Sequence, residues 1–276
     1  MNKKLLIPII IAVGLVAWLV SLLAKNHSED VILVSGTIEA TEVHLSFQAG
    51  GKIKEIYKEE GTTAKPGEIL ARLDKEEFLK IKNQAELLLQ EAKFNRERLS
   101  QDYNRVEGLF QSGAVSAQQK DTLKTNLEVA KLKEQSLQSG LDLAVLKLGY
   151  TDLVSPIGGM VTVKSAEAGE IVQAGAAILT VANLTNIWVT GYIKEPDLGR
   201  VKLNQKAQVK TDSYPGKDYP GYVSFIASES EFTPKQIQTA EERVNRVYRI
   251  KISLDNTGQV FKTGMPVDAY LLPNQP

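Results

Sequence analysis

The sequence predicts a mostly β protein that carries a long α-helical coiled-coil hairpin. Two glycine-rich stretches, Gln48–Leu73 and Pro156–Val181, repeat one pattern at a constant offset of 108 residues. A region with heptad spacing separates them, and short alternating segments follow as far as Leu272. A repeat interrupted in this way suggests that its two halves fold together as one split domain, from which the hairpin projects.

Glycines align the two half-repeats. Each half reads as a few short strands and is too small to bury a core alone. No helix N-terminus follows Gly50-Gly51 or Gly158-Gly159, so we interpret them as places where strands bend or approach closely, not as phosphate loops. The predicted structural glycines form three equivalent pairs: Gly51 with Gly159, Gly61 with Gly169, and Gly67 with Gly175.

Residues 75–149 are predicted to form the hairpin, because apolar residues recur there every 3.5 residues on average. The predicted seam positions of the first helix are Phe78, Ile81, Ala85, Leu88, Ala92, Asn95, Leu99, Asp102, Val106 and Leu109. Those of the second are Leu123, Leu127, Ala130, Glu134, Leu137, Leu141, Ala144 and Leu148. Arms of some 35 residues predict a length of about 50 Å. Ser116 is predicted to cap the second helix, and Gly149 to follow its end.

The hairpin is expected to pack beside copies of itself. Two helices bury one narrow stripe, which leaves apolar residues on their flanks without a partner. The predicted flank residues are Leu87, Leu89, Val129 and Val145.

The N-terminus predicts a membrane anchor. Leu5–Ala24 is a run of 20 residues without charge, preceded by Lys3 and Lys4. Such a helix spans about 30 Å, one hydrocarbon core. A cleaved signal peptide is the alternative, but the run is longer than a signal's apolar region, and Leu22-Leu23-Ala24 is a poor cleavage site. The paired lysines predict a cytoplasmic N-terminus, with the chain beyond Lys25 in the periplasm.

Composition excludes several functions. Lys plus Arg equals Asp plus Glu, at 33 each, so the chain lacks the basic excess of a nucleic-acid binder. It has no cysteine, hence no disulfide, thiolate ligand or cysteine nucleophile. Its two histidines, His27 and His44, have no second histidine at metal-ligand spacing. We therefore predict no enzyme activity, no catalytic or metal site and no cofactor.

The remaining segments predict a small β-barrel. Short alternating segments between Ile187 and Leu272 resemble its strands, with Trp188 and Tyr192 expected in the core. The early strand Val31–Thr41 has no partner unless it joins this set. The predicted domains are an anchor (1–24), a barrel (31–42 and 184–276), a split glycine-rich domain (43–74 and 150–183) and the hairpin (75–149).

Together with the C-terminal phrase Phe261-Lys262-Thr263-Gly264-Met265-Pro266-Val267, these features resemble the HlyD family of membrane fusion proteins, or periplasmic adaptors. The resemblance implies that the half-repeats form a lipoyl-like domain, also called a barrel-sandwich hybrid. It also implies a barrel nearer the inner membrane, a hairpin directed at a TolC-like outer-membrane channel, and a ring of six copies.

The segment Phe232–Thr239, with Glu241-Glu242-Arg243, is similar to adaptors that work with ABC exporters; a proton-driven pump stays the alternative partner. Longer family members continue past the Gly-Met-Pro strand with a membrane-proximal domain, whereas only Asp268–Pro276 follow here. We therefore expect the barrel to face the inner-membrane transporter.

The end of the hairpin carries a further resemblance. Arg105, Leu109 and Ser116 match an Arg-x3-Leu-x6-Ser pattern found at the apex of adaptors that engage TolC-like channels. Arginine can donate several hydrogen bonds to carbonyls of a partner hairpin, and leucine offers an apolar anchor. Each residue also has a local explanation, as an exposed arginine, a seam leucine and a helix cap.

Two other functions fit the sequence less well. A lipoyl or biotinyl carrier would need a modified lysine on a tight turn, but Asp74-Lys75 opens into a helix, where Lys75 could not swing. A structural envelope tether would need neither the half-repeats nor the barrel.

Overall fold

The computed structural model describes residues 31–232 and 246–273. One compact unit takes the chain up to Thr41 together with the chain from Leu184 onward, and the other is Glu42–Asn183. The predicted anchor at 1–24 and nearly all of the ABC-type segment at 232–243 lie outside the described residues. Within the described ranges, no helix has the length and apolar character to cross a bilayer.

The described elements follow in chain order. They are β1 (Ile32–Ser46), β2 (Gly51–Ile56), β3 (Thr63–Ala64), β4 (Ile69–Leu73), α1 (Glu76–Gln111), α2 (Ala117–Gly149), β5 (Asp152–Val154), β6 (Gly159–Lys164), β7 (Ile171–Val172), β8 (Ala177–Lys194), α3 (Glu195–Leu198), β9 (Lys206–Lys210), β10 (Tyr219–Ile226), β11 (Glu231–Phe232), β12 (Arg246–Asp255) and β13 (Pro266–Leu271). Strands β1 and β8 contribute residues to both units.

The first unit is a closed barrel of six strands. Its strand order is β8-β1-β13-β9-β10-β12, and β12 pairs with β8 to close the ring. Inward side chains such as Val34, Val189 and Ile250 are fully buried, as period-2 alternation requires. The prediction that Trp188 and Tyr192 belong to the core is wrong. Because they alternate with the buried residues of β8, they face outward; Tyr192 is 44% exposed and Trp188 half-buried.

In the second unit the two half-repeats pair with each other through two equivalent pairs of strands. In β2 and β7, Gly51 is the partner of Val172. In β6 and β3, Gly159 is the partner of Ala64, which is the same pair after the 108-residue shift. Side chains from both halves form one buried cluster that includes Ile53 and its equivalent, Val161.

The structural glycines divide by role. Gly61, Gly67, Gly169 and Gly175 all have positive φ, so both copies use left-handed residues at equivalent turns. Gly159 is required by close approach, because an added Cβ would lie 2.3 Å from the carbonyl oxygen of Ala182. At Gly51 an added Cβ would meet Leu73 at 3.5 Å, an ordinary contact, so sterics do not demand glycine there.

Helices α1 and α2, of 36 and 33 residues, form the hairpin. All eight predicted seam positions of α2 are buried or half-buried. In α1, four of the ten predicted positions are exposed, and in each case the next residue is more buried: Lys82, Leu89, Arg96 and Phe110 replace Ile81, Leu88, Asn95 and Leu109. Asp102 and its neighbour Tyr103 are both half-buried.

An ion pair across the hairpin explains this shift. Arg96 Nε lies 2.8 Å from a carboxylate oxygen of Glu134, whose seam position in α2 was predicted. Turning Arg96 inward satisfies Glu134 and moves Asn95 outward, where it accepts a hydrogen bond from Arg98 at 3.0 Å. Charge pairing thus favours the row of α1 that contains Arg96 over the predicted row that contains Asn95.

Ion pairs stabilise the base of the hairpin. Asp152 accepts hydrogen bonds from Arg72 at 2.7 Å and Lys75 at 2.6 Å, which joins the start of α1 to the strand that follows α2. Burial raises the pKa of Asp152, but hydrogen bonds from Lys75 and Arg72 outweigh it and leave the pKa below its ordinary value. The prediction that Gly149 lies beyond α2 is wrong: Gly149 is its last residue, and Tyr150 is the C-cap.

Candidate functional site

The candidate site is the hairpin tip, defined here as residues 102–120. Helix α1 ends at Gln111, and Gly113, with φ +76°, turns the chain. Two bonds converge on the carbonyl oxygen of Leu109, from the Ser112 hydroxyl at 2.8 Å and the Ala114 N–H at 3.0 Å. These bonds satisfy carbonyl groups at the end of α1 and fix a short, closed turn.

The three predicted docking residues all lie at this tip. Arg105 and Leu109 are four residues apart, so they share one face of α1. Arg105 is 73% exposed and its guanidinium is 3.7 Å from Asp102, a loose contact that leaves donors available. Leu109 is 43% exposed, so the prediction that it belongs to the seam is wrong. An apolar side chain held in water at a helix end is free to enter a partner's surface.

Ser116 has the role predicted for it as a cap. It precedes α2 with extended backbone, and its hydroxyl accepts a hydrogen bond from the N–H of Gln119 at 3.2 Å. This prediction is confirmed. Ser116 therefore has a structural role at the tip, while it is exposed like Arg105 and Leu109.

The tip also contains a half-buried cluster that the sequence analysis did not identify, called here the tip cluster: Tyr103, Glu107, Phe110 and Lys120. The Lys120 ammonium is 3.0 Å from Glu107 and 4.6 Å from the centre of the Phe110 ring. Tyr103 donates a hydrogen bond to Glu107 at 3.0 Å. Hydrogen bonds from Lys120 and then Tyr103 lower the pKa of Glu107, and the bond to Glu107 raises the pKa of Lys120.

The signal for the tip cluster was present but weak. Tyr103 and Phe110 continue the row of Leu89 and Arg96 at seven-residue spacing. That row begins with Lys82 and contains Arg96, whereas its neighbour begins with Ile81 and ends at Leu109, so a search for aliphatic periodicity favours the neighbour. A search for opposite charges across the turn would have paired Glu107 with Lys120.

Two residues that the sequence analysis considered for chemistry have structural partners. His44 shares a hydrogen bond with Thr180 at 3.0 Å. Lys75, the residue considered for a carrier, is bound to Asp152. Among residues 31–232 and 246–273, no group of three or more His, Cys, Asp or Glu side chains could hold a metal ion.

Comparisons with known proteins agree with this architecture. A family profile described as a CzcB-like barrel-sandwich hybrid domain matches residues 41–183, and a YknX-like beta-barrel domain matches residues 187–269. The UPF0194 membrane protein in the asrC 5′ region of Acidithiobacillus ferridurans is 29% identical over 326 aligned positions, which cover 98% of this chain and 96% of that protein.

Two solved structures share the fold. The membrane fusion protein Spr0693 from Streptococcus pneumoniae R6 gives a TM-score of 0.72 at 19% identity, covering 88% of this chain and 100% of that one. MacA from Actinobacillus actinomycetemcomitans gives 0.64 at 23% identity, covering 88% and 79%. This chain therefore has the fold of membrane fusion proteins, as the sequence predicted. It belongs to the family with a CzcB-like barrel-sandwich hybrid domain.

Proposed function

We propose that this protein is the adaptor subunit of an export or efflux system and links an inner-membrane transporter to a TolC-like outer-membrane channel. The observation that carries the proposal is the exposed pair Arg105 and Leu109 at the end of a hairpin some 50 Å long. A tip offers few contacts, so its interface must depend on one or two anchors. An adaptor needs no catalytic group.

The inner-membrane partner is proposed to be an ABC transporter. The support is the sequence resemblance at 232–243 and the structural likeness to membrane fusion proteins. Curated relatives carry the name membrane protein, which supports an anchor at Leu5–Ala24. The proposal places the remainder of the chain in the periplasm. Purifying the tagged protein from crosslinked envelopes and identifying the permease tests this assignment.

Arg105→Asp tests the docking site. It reverses the charge and removes the donors, and should abolish export while expression and permease binding persist. Arg98→Asp is the matched control. Arg98 lies two turns earlier on the same helix and bonds to Asn95, away from the tip. If Arg105→Asp exports at the wild-type rate, the docking site is wrong.

Self-association into a ring, which the family resemblance implies to be hexameric, is part of the proposal. Leu87, Val129 and Val145 are 66%, 60% and 48% exposed, as expected for flank residues that meet a neighbouring copy. Leu89 does not belong with them. It is 4% exposed in the seam, because the α1 face is rotated by one residue.

A further inference from the structure

We propose that the turn Lys202–Gln205, at one end of the barrel, contacts the anionic lipid surface of the membrane that anchors the chain. The inference rests on the proposed function, because it takes Leu5–Ala24 as the anchor. It adds a second, peripheral membrane contact, made by the barrel itself.

The turn presents an exposed leucine. Leu203 is 60% exposed, and the N–H of Gln205 donates to the carbonyl oxygen of Lys202 at 3.2 Å to close the turn around it. Asn204 has φ +63°, a left-handed conformation that asparagine tolerates better than most residues. Leu203 is therefore an exposed apolar side chain on a turn with a defined backbone.

Buried bonds hold this turn rigid. Gln205 is 5% exposed; its side chain accepts from the N–H of Lys202 at 2.9 Å and donates to the carbonyl oxygen of Leu272 at 2.8 Å. The N–H of Asn204 donates to Val223 at 2.8 Å. A leucine fixed in this way loses little conformational freedom on binding, which favours insertion into a surface.

The turn lies at the barrel end where β1 begins. Ile32 is the register partner of Leu271, and the N–H of Leu272 donates to Lys206, the first residue after the turn, at 2.9 Å. Seven residues, 25–31, separate the apolar run from Ile32. Fully extended, they reach about 25 Å at most. An anchored chain therefore keeps this end of the barrel close to the bilayer.

The charges at this end suit anionic headgroups. Lys194, Lys202 and Lys206 are exposed there. Of the nearby acids, Asp197 is paired with Arg200 at 3.2 Å and Glu231 with Arg249 at 3.2 Å; Glu195 and Glu229 are also exposed. Lysines attract anionic lipid while an apolar side chain enters the headgroup boundary, the combination typical of peripheral membrane contacts. An isolated apex leucine fits fluid lipid better than a protein surface, which requires a shaped pocket.

A single label can test the contact, because the chain has no cysteine of its own. The full-length Leu203→Cys variant is labelled with an environment-sensitive fluorophore and placed in nanodiscs of phosphatidylethanolamine and phosphatidylglycerol. Ser213→Cys is the control, since its loop follows β9 at the opposite end of the barrel and is exposed. We expect a blue shift, and quenching by lipids with a nitroxide on the acyl chain, at position 203 and not at 213.

A second experiment tests whether the contact depends on charge. Replacing phosphatidylglycerol with phosphatidylcholine, or introducing Lys202→Glu with Lys206→Glu, should reduce quenching at 203. The proposal is overturned if the label at position 203 is not quenched, or if it is quenched only after a permease is added to the discs. It is also overturned if the chain does not remain in the discs. No outer-membrane channel is present, so this result is independent of the export phenotype of Arg105→Asp.

Discussion

The backbone N–H of Gly61 donates a hydrogen bond to the carbonyl oxygen of Val161 at 2.8 Å. The equivalent bond, from Gly169 to Ile53, is also 2.8 Å. Each half-repeat thus closes its glycine turn on a strand of the other half. This exchange explains how two segments separated by a 75-residue insertion, 75–149, fold as one domain, and it makes neither half complete without its partner.

Gly61→Val should therefore destabilise both halves. Gly61 has φ +82° with no atom within 4 Å of an added Cβ, so the cost is conformational and not a clash. We expect the free energy of unfolding, measured in urea, to fall by about 1–2 kcal/mol. Gly169→Val, at φ +97°, should behave alike. Gly108→Ala, in a helix and equally unobstructed, is the control and should stabilise slightly. Proteolysis that removes one half and spares the other would contradict this prediction.

The Asp152 cluster predicts acid sensitivity at the hairpin base. The folded pKa of Asp152 is lowered, so its contribution to stability is present above the unfolded pKa and is lost as pH falls through the folded value. Unfolding followed between about pH 5 and pH 2 should show this loss, because the unfolded pKa is about 3.9. Asp152→Asn should lower stability at neutral pH and flatten the slope in that window. An unchanged slope would show that other carboxylates control acid unfolding.

The tip cluster predicts an indirect effect on docking. Lys120→Met removes the ion pair with Glu107 while keeping most of the side-chain volume, and leaves Arg105 and Leu109 in place. We expect faster amide hydrogen exchange over residues 107–120 and reduced export. Lys131→Met is the matched control, since Lys131 pairs with Glu128 on its own helix at 2.8 Å. Reduced export with unchanged exchange would mean that Lys120 contacts the channel directly.

Ser116 should act through its cap. Ser116→Asp keeps an acceptor for the N–H of Gln119 and should export normally, whereas Ser116→Arg should lose about 1 kcal/mol of helix stability. Leu109→Ser should weaken export less than Arg105→Asp, because it removes an apolar group without adding repulsion. Export assays and helical circular dichroism separate the two effects. If Ser116→Asp blocks export while the helix stays intact, Ser116 itself contacts the channel.

Surface and seam positions should respond differently to lysine. Val129→Lys or Leu87→Lys places a charge on an exposed flank and should weaken self-association with the helical signal unchanged, as measured by sedimentation. Leu89→Lys places a charge in the seam and should instead disrupt the hairpin. Unchanged sedimentation of the flank variants would reject the predicted ring contact.

The sequence by itself determined the elements that local chemistry dictates. The 108-residue repeat marked the turns at Gly61 and Gly169, because a backbone that needs positive φ selects glycine in each copy. Apolar spacing placed the α2 seam, which includes the buried Leu127 and Ala130. Ser116 before a helical run indicated its cap, a contact between residues three apart.

Tertiary structure decided what depends on a distant partner. Apolar spacing favoured Leu88 and Leu109 over Leu89 and Phe110, but charges on α2 turned the other row of α1 inward. Likewise, alternation could place Trp188 on a strand but could not tell which face of β8 points into the barrel. Ring closure by β12 fixes that face, because burial depends on which strands meet, and those strands are far apart in the chain.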